Sequence, residues 1–308
     1  MTVNGRIPAQ EMGITLTHEH ILVDFIGADS VSASRYNVNE VMEKVLPYLQ
    51  EIKALGCQTF VECTPEYLGR DPQLLKRLSD ETQLHILTNT GFYGVRNNKF
   101  IPSSFLGKSA EALLEIWIAE WENGIRGTGI KPGFIKIGVD SDSLSQFHTT
   151  LVEAAALTHL QSGLVIASHT GPSLPAFQQM EVLERYGVSP EAFIWVHAQS
   201  EKEVEKLSLA AEKGAWISLD YISEGNVDEI ASLIRYLDEQ GHLSRVLLSH
   251  DAGWFDPAKP GGGDFRGFTA LFTELIPTLE NSGFTREKIN RLLRENPARA
   301  FEVKVRRK

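Results

Sequence analysis

Residues 13–21 read GITLTHEHI, an apolar run that carries two histidines one residue apart. On a β-strand successive side chains alternate between faces, so His18 and His20 share one face and Glu19 takes the other. Two imidazoles side by side make half of a metal site. Short apolar stretches of the same kind recur at 58–64 (QTFVECT), 84–91 (LHILTNTG), 133–139 (GFIKIGV), 163–171 (GLVIASHTG), 192–198 (AFIWVHA), 215–220 (AWISLD) and 245–253 (RVLLSHDAG). With the first, that makes eight. Between them lie amphipathic stretches of helical period. Asp71 and Pro72 form a cap-and-first-turn pair, Pro47 predicts a kink, and Gly163, Gly187, Gly214 and Gly241 close helices. A last helical region is expected over roughly 264–302.

Strict alternation of strand and helix implies a parallel sheet with helices outside it. Eight units build either a closed barrel or a long open sheet. An open sheet gathers its chemistry at one switch point, usually beside a Gly-rich phosphate loop. No such fingerprint follows an early strand, and the glycine run 261–263 lies in the last loop, with no helix-opening phosphate pattern. A (β/α)8 barrel instead draws functional groups from the C-terminal ends of many strands. The chain is therefore read as a single (β/α)8 TIM barrel domain over 1–308. The net charge of −10 gives no positive field for nucleic acid or an anionic membrane. Cys57 and Cys63 form neither a disulfide framework nor a zinc ribbon. No signal-peptide pattern and no run long enough to span a membrane is present, so the expected location is the cytoplasm.

Of nine histidines, His85, His148, His159 and His242 fall at strand starts or on helices and are read as structural or surface groups. The others fall at strand ends or on the first strand: His18 and His20 in run one, His169 ending run five, His197 run six, and His250 with Asp251 run eight. Lys136 sits inside FIKIG, where an isolated ammonium is costly. Taken singly, a strand-end histidine is more often a packing group than a ligand. Together, four imidazoles, one carboxylate and one lysine converge on one barrel mouth from five strands, which coincidence explains poorly. Glu19 must face the sheet–helix layer and is read as structural. His250 is read as either a packing group or a partner that orients a ligand, and Glu62 as either reaching a ligand histidine or capping a loop.

GITLTHEHI, Lys136 in FIKIG, His169 in SHTG, His197 in VHA and Asp251 in LLSHDAG together resemble the phosphotriesterase family of the amidohydrolase superfamily. GRDPQLL (69–75) and LLRENPARAF (292–301) extend the resemblance through nearly the whole chain. It implies a binuclear divalent-metal hydrolase. His18, His20 and Asp251 would hold the more buried ion, and His169 and His197 the more exposed one. Lys136, carboxylated on its amine, would bridge the two together with a hydroxide. Imidazole and carboxylate suit Zn²⁺, with Mn²⁺ or Co²⁺ as alternatives. A lysine ammonium would repel both ions, whereas a neutral amine takes up CO₂ to become an anionic carbamate. Asp251 is then the expected proton acceptor. A homodimer is compatible with the resemblance, though no interface is legible.

The family includes organophosphate triesterases and lactonases. Three positions after His197 the triesterases carry an acid, where this chain has Ser200. After the strand-seven aspartate they carry a histidine and the homoserine lactonases an arginine, where this chain has Tyr221. Tyr93 in TGFYG resembles a lactonase tyrosine near the metals. Expected substrate contacts are Tyr93, Arg96, Tyr221, Trp254, Lys259 and Arg266. Arg96, Lys99, Lys259 and Arg266 are candidates for meeting an anionic tail, and Trp254 with Phe255 for an apolar wall. The expectation is hydrolysis of a small-molecule lactone or carboxyl ester. The alternatives are phosphoester or phosphotriester hydrolysis on the same centre, and a metal-containing barrel that only binds ligands.

Overall fold

A computed structural model describes all 308 residues, Met1–Lys308. Its strands are β1 (Thr15–Leu22), β2 (Thr59–Glu62), β3 (His85–Leu87), β4 (Asn89–Thr90), β5 (Phe134–Gly138), β6 (Ile166–His169), β7 (Phe193–Val196), β8 (Trp216–Leu219), β9 (Val246–Leu248) and β10 (Gly253–Phe255). All pair in parallel, in the orders β10-β1-β2-β3 and β4-β5-β6-β7-β8-β9. The third run of the sequence is thus one barrel strand interrupted at Thr88. Bonds from the β9 end to β1 close the other seam: Thr17 Oγ1 donates to Leu248 O at 3.1 Å, and Asp251 N to His18 O at 3.0 Å. The result is a closed (β/α)8 barrel.

Seven of the helices follow the amphipathic stretches: α1 (Val38–Ala54), α2 (Pro72–Thr82), α3 (Ala110–Asn123), α4 (Gln146–Ser162), α5 (Ser173–Arg185), α6 (Val204–Glu212) and α7 (Val227–Glu239). Asp71 caps α2 as its spacing requires, accepting from Gln73 N and Leu74 N. Pro47 lies inside α1 and does not end it. The last helical region begins later than expected. Residues 264–269 form bends and an isolated bridge, and helical backbone starts at Ala270. The reason is Arg266, whose backbone pairs with Gly253 in both directions and so holds this segment out of the helix.

The apolar groups divide into two layers. A large cluster fills the space between sheet and helices, and a small one, including Val61, Phe134, Ala167, Ile194, Trp216 and Leu247, fills the barrel interior. Phe301 plugs the closed end, its ring edge-on to Phe134 at 5.5 Å. At the open end the interior alternation continues from Phe134 to Lys136 on β5 and from Ala167 to His169 on β6. Register on β1 slips between Leu16 and Glu19, one extra residue against β2. Such a bulge re-aims the side chains beyond it, here His18 and His20. Gly253 is required where it stands, because a Cβ there would lie 1.9 Å from His20 O. That close approach lets β10 pair with β1.

Candidate metal centre

The six expected ligands meet at the open end of the barrel and line one small cavity of roughly 70 Å³. Larger cavities lie elsewhere, about 420 Å³ at the closed end and about 570 Å³ between α4 and α5, and neither is lined by a histidine. Size is a poor guide here, since chemistry needs converging donors. The rings of His169 and His197 are 4.4 Å apart, and His18 is 5.2 Å from both His20 and His197. Asp251 Oδ1 is 2.9 Å from His20 Nε2 and 3.6 Å from His18 Nε2, while its Oδ2 is 3.9 Å from His197 Nε2. Lys136 Nζ, fully buried, lies 3.5 Å from His18 Nε2.

Three imidazoles are held by their far nitrogens. His18 Nδ1 donates to Asp220 Oδ2 at 2.8 Å, and His197 Nδ1 to Asp220 Oδ1 at 2.7 Å. His20 Nδ1 lies 2.9 Å from Thr64 Oγ1. An ionised carboxylate only accepts, so the protons of His18 and His197 sit on Nδ1 and their Nε2 lone pairs are free. Metal-binding histidines are oriented in this way. His18, His20 and Asp251 offer ligand atoms close enough to share one ion. The same proximity holds for His18, His197 and Asp220, but Asp220 is already spent. It also accepts from His197 N and Ser218 Oγ. The donor set therefore suits a divalent cation, with Asp220 as a bracket behind it.

Charge agrees with that fit. Burial and the neighbouring Lys136 bring the His18 pKa down to about 4, and burial with His197 carries His169 well below its usual value. Both are neutral at pH 7, as a ligating imidazole must be. Burial alone would raise Asp251, but His18, His20 and His197 outweigh it and hold the carboxyl at about 2. Burial opposes the charge on His197 as well, yet Asp220 more than offsets this and raises it. Asp220 is itself kept well below the carboxylate range, since His197 and His18 overcome its burial.

Backbone strain sits at the same place. His197 and Asp251 have φ of +60° and +49°, left-handed conformations rare outside glycine and costly without surrounding support. Glu19 supplies it for Asp251. Its carboxylate is fully buried and accepts from Ser249 Oγ (2.7 Å), His250 N (2.9 Å), His250 Nδ1 (2.6 Å) and Ala252 N (2.9 Å). His250 Nε2 accepts from Leu271 N, so both its nitrogens are occupied and it cannot ligate. Arg266 completes the clamp, donating to His250 O at 3.0 Å and Asp251 O at 2.9 Å.

The expected substrate contacts divide. Tyr93 lines the cavity with its hydroxyl 3.0 Å from His169 Nδ1, and Trp254 lines it too. Arg96 and Tyr221 are exposed and outside the lining, Arg96 lying over the Phe25 ring at 5.4 Å. Lys259 pairs with Asp256, away from the cavity, because the loop after β10 turns outward. Lys99 is bonded to Phe25 O. Phe255 is no part of the wall, since the alternation that brings Trp254 inward packs Phe255 against the Gly262 backbone. Asp220 and Thr64 were not singled out from the sequence. The signal was present, as each is a polar residue ending a strand run.

A closed (β/α)8 barrel whose mouth gathers histidine, aspartate and lysine from five strands defines a class of hydrolase. The chain belongs to the phosphotriesterase family, whose model matches residues 1–301. Among its relatives is the phosphotriesterase homology protein of Escherichia coli K12, 29% identical over 94% of this chain and 98% of its own. The aryldialkylphosphatase of Saccharolobus solfataricus is 26% identical, covering 96% of each chain. The human N-acetyltaurine hydrolase is also 26% identical, over 96% of this chain and 95% of its own. No helix is long and apolar enough to cross a membrane.

Proposed function

We propose that this hydrolase opens lactones or cleaves simple carboxyl esters, using two divalent cations, zinc first, held by His18, His20, Lys136, His169, His197 and Asp251. Lys136 is proposed to carry the carbamate. When bound, such ions supply an acidified water and a polarised carbonyl. Asp251 takes the proton from the attacking water, a role supported by its being ionised and by its place beside three imidazoles. The water oxygen joins the acyl carbon, the acyl C–O bond breaks, and the leaving oxygen receives a proton.

The observation that carries the lactone reading over the triester one is Tyr93. Its hydroxyl stands at the cavity edge, 3.0 Å from His169 Nδ1. Burial pushes its pKa up, so it remains a phenol able to donate to a ring or carbonyl oxygen. The sulfonate of N-acetyltaurine would need a free cation, and the lining offers only Lys136, already placed among the donors. The test is a panel of lactones, aryl esters, N-acyl amides and paraoxon-like triesters on zinc-reconstituted protein. Turnover of lactones is expected, and turnover of triesters alone overturns the reading. Two bound metals with no turnover across the panel would return the chain to a ligand-binding barrel.

A further inference from the structure

Trp254 occupies a costly position and keeps a polar atom unspent. Its backbone lies at φ +74°, a left-handed conformation unusual for an aromatic residue. Its indole Nε1 is buried and meets no acceptor. Strain of this kind and a buried donor without a partner each cost free energy, and both tend to survive where function uses them. The ring is also well held. The Arg266 guanidinium lies over it at 5.8 Å, the His20 ring stands edge-on at 5.9 Å, and Phe25 packs at 5.6 Å. Orientation of this quality is what a ligand contact needs in advance.

The rest of the wall carries no spare charge. Beyond the donor set the cavity is lined by Val23, Phe25, Pro65, Leu68 and Tyr93 together with Cys63. Among the basic groups near the mouth, Arg266 is held on two backbone carbonyls, Lys99 on Phe25 O and Lys259 on Asp256, and Arg96 lies outside the lining, over the outer side of the wall at Phe25. An anionic tail buried inside the cavity would lose its water without gaining a free counter-charge from the wall. With roughly 70 Å³ available, a long acyl chain has no room inside.

We infer that Trp254 donates its indole N–H to an ester oxygen of a compact, uncharged substrate, and that the cavity discriminates against anionic or long-tailed esters. The inference rests on the lactone reading above, and two measurements separate them. In ¹H–¹⁵N spectra of the full chain with chelator present, the Trp254 indole resonance is assigned by its loss in Trp254→Phe, or in Trp254→Tyr if that chain misfolds. It should shift on addition of δ-valerolactam, a compact neutral ring, and an unmoved resonance overturns the donor assignment. In steady-state assays the wild type should prefer δ-valerolactone over a carboxylate-bearing lactone by at least about tenfold. Trp254→Phe should lose about tenfold in kcat/KM on the neutral lactone, the size of one hydrogen bond. Equal use of both lactones by the wild type, or an undiminished variant, sinks the inference. A wild type that opens no lactone while its indole still answers the lactam defeats the lactonase reading and leaves the donor in place.

Discussion

Asp220 shows how much one side chain can decide. Its two oxygens fix two imidazoles from different strands, His18 and His197, in a single tautomer. In Asp220→Asn one of those Nδ1–H groups would face an amide that donates rather than accepts. Zinc affinity measured by calorimetry should fall about 10–100-fold, with the circular dichroism spectrum unchanged; undiminished affinity would mean that Asp220 only fills space. Glu62 makes a different case. Burial raises its carboxyl from 4.5 to about 7, and its Oε2 has no partner. Below pH 4.5 folded and unfolded chains both hold the proton. As pH rises through 7 the unfolded chain has already released it, so the folded state loses on the order of 3 kcal/mol. Glu62→Gln cannot ionise. Its urea midpoint should match the wild type at pH 4 and exceed it at pH 8, and a constant difference across that range would count against the linkage.

The segment from Ser249 to Trp254 is the element on which the site depends. It leaves β9, places Asp251 and Trp254 in left-handed conformations, and joins β10 to β1. Nothing local favours this path, so its stability comes from Glu19 below and Arg266 above. Glu19→Gln keeps the shape but replaces one acceptor oxygen with a donor, facing donors that still need partners. Removing such acceptors costs about 1–3 kcal/mol. Amide exchange at His250 and Ala252 should accelerate while exchange in β5 to β7 does not; uniform acceleration would point to global loosening instead. The placement of Glu19 off the histidine face was legible from alternation alone. Its partners were not, because the residues it binds lie more than 200 positions away and period-2 reasoning carries no information across that distance.

At the scale of the molecule, the barrel was legible because eight apolar runs alternated with capped helices, and the convergence of six side chains on one mouth because each ended a run or lay within one. What escaped was whatever depended on how segments cross: the break at Thr88, the non-helical stretch 264–269, the outward turn of Lys259, and the Asp220 bracket. Those follow from ring closure, which no local window contains. Closure also gathers costs at one rim. Strained backbone at His197, Asp251 and Trp254, a fully buried Lys136 amine and a crowded set of imidazoles all lie around one cavity. A fold that concentrates its costs there should be stabilised most by what binds there. Each cation held by the folded chain alone adds about 2.7 kcal/mol at a hundredfold excess over its Kd. For a chain of this size each kcal/mol moves Tm by about 2–4 °C or less. Zinc added to chelator-treated protein should therefore raise Tm by several degrees or more, in two titratable steps if the sites differ in affinity. Lys136→Ala, which removes the proposed bridging group, should keep the metal-free Tm within a few degrees of the parent yet lose most of the increment. A zinc increment that survives in Lys136→Ala would show that the lysine is no part of the metal site, and the carbamate would go with it.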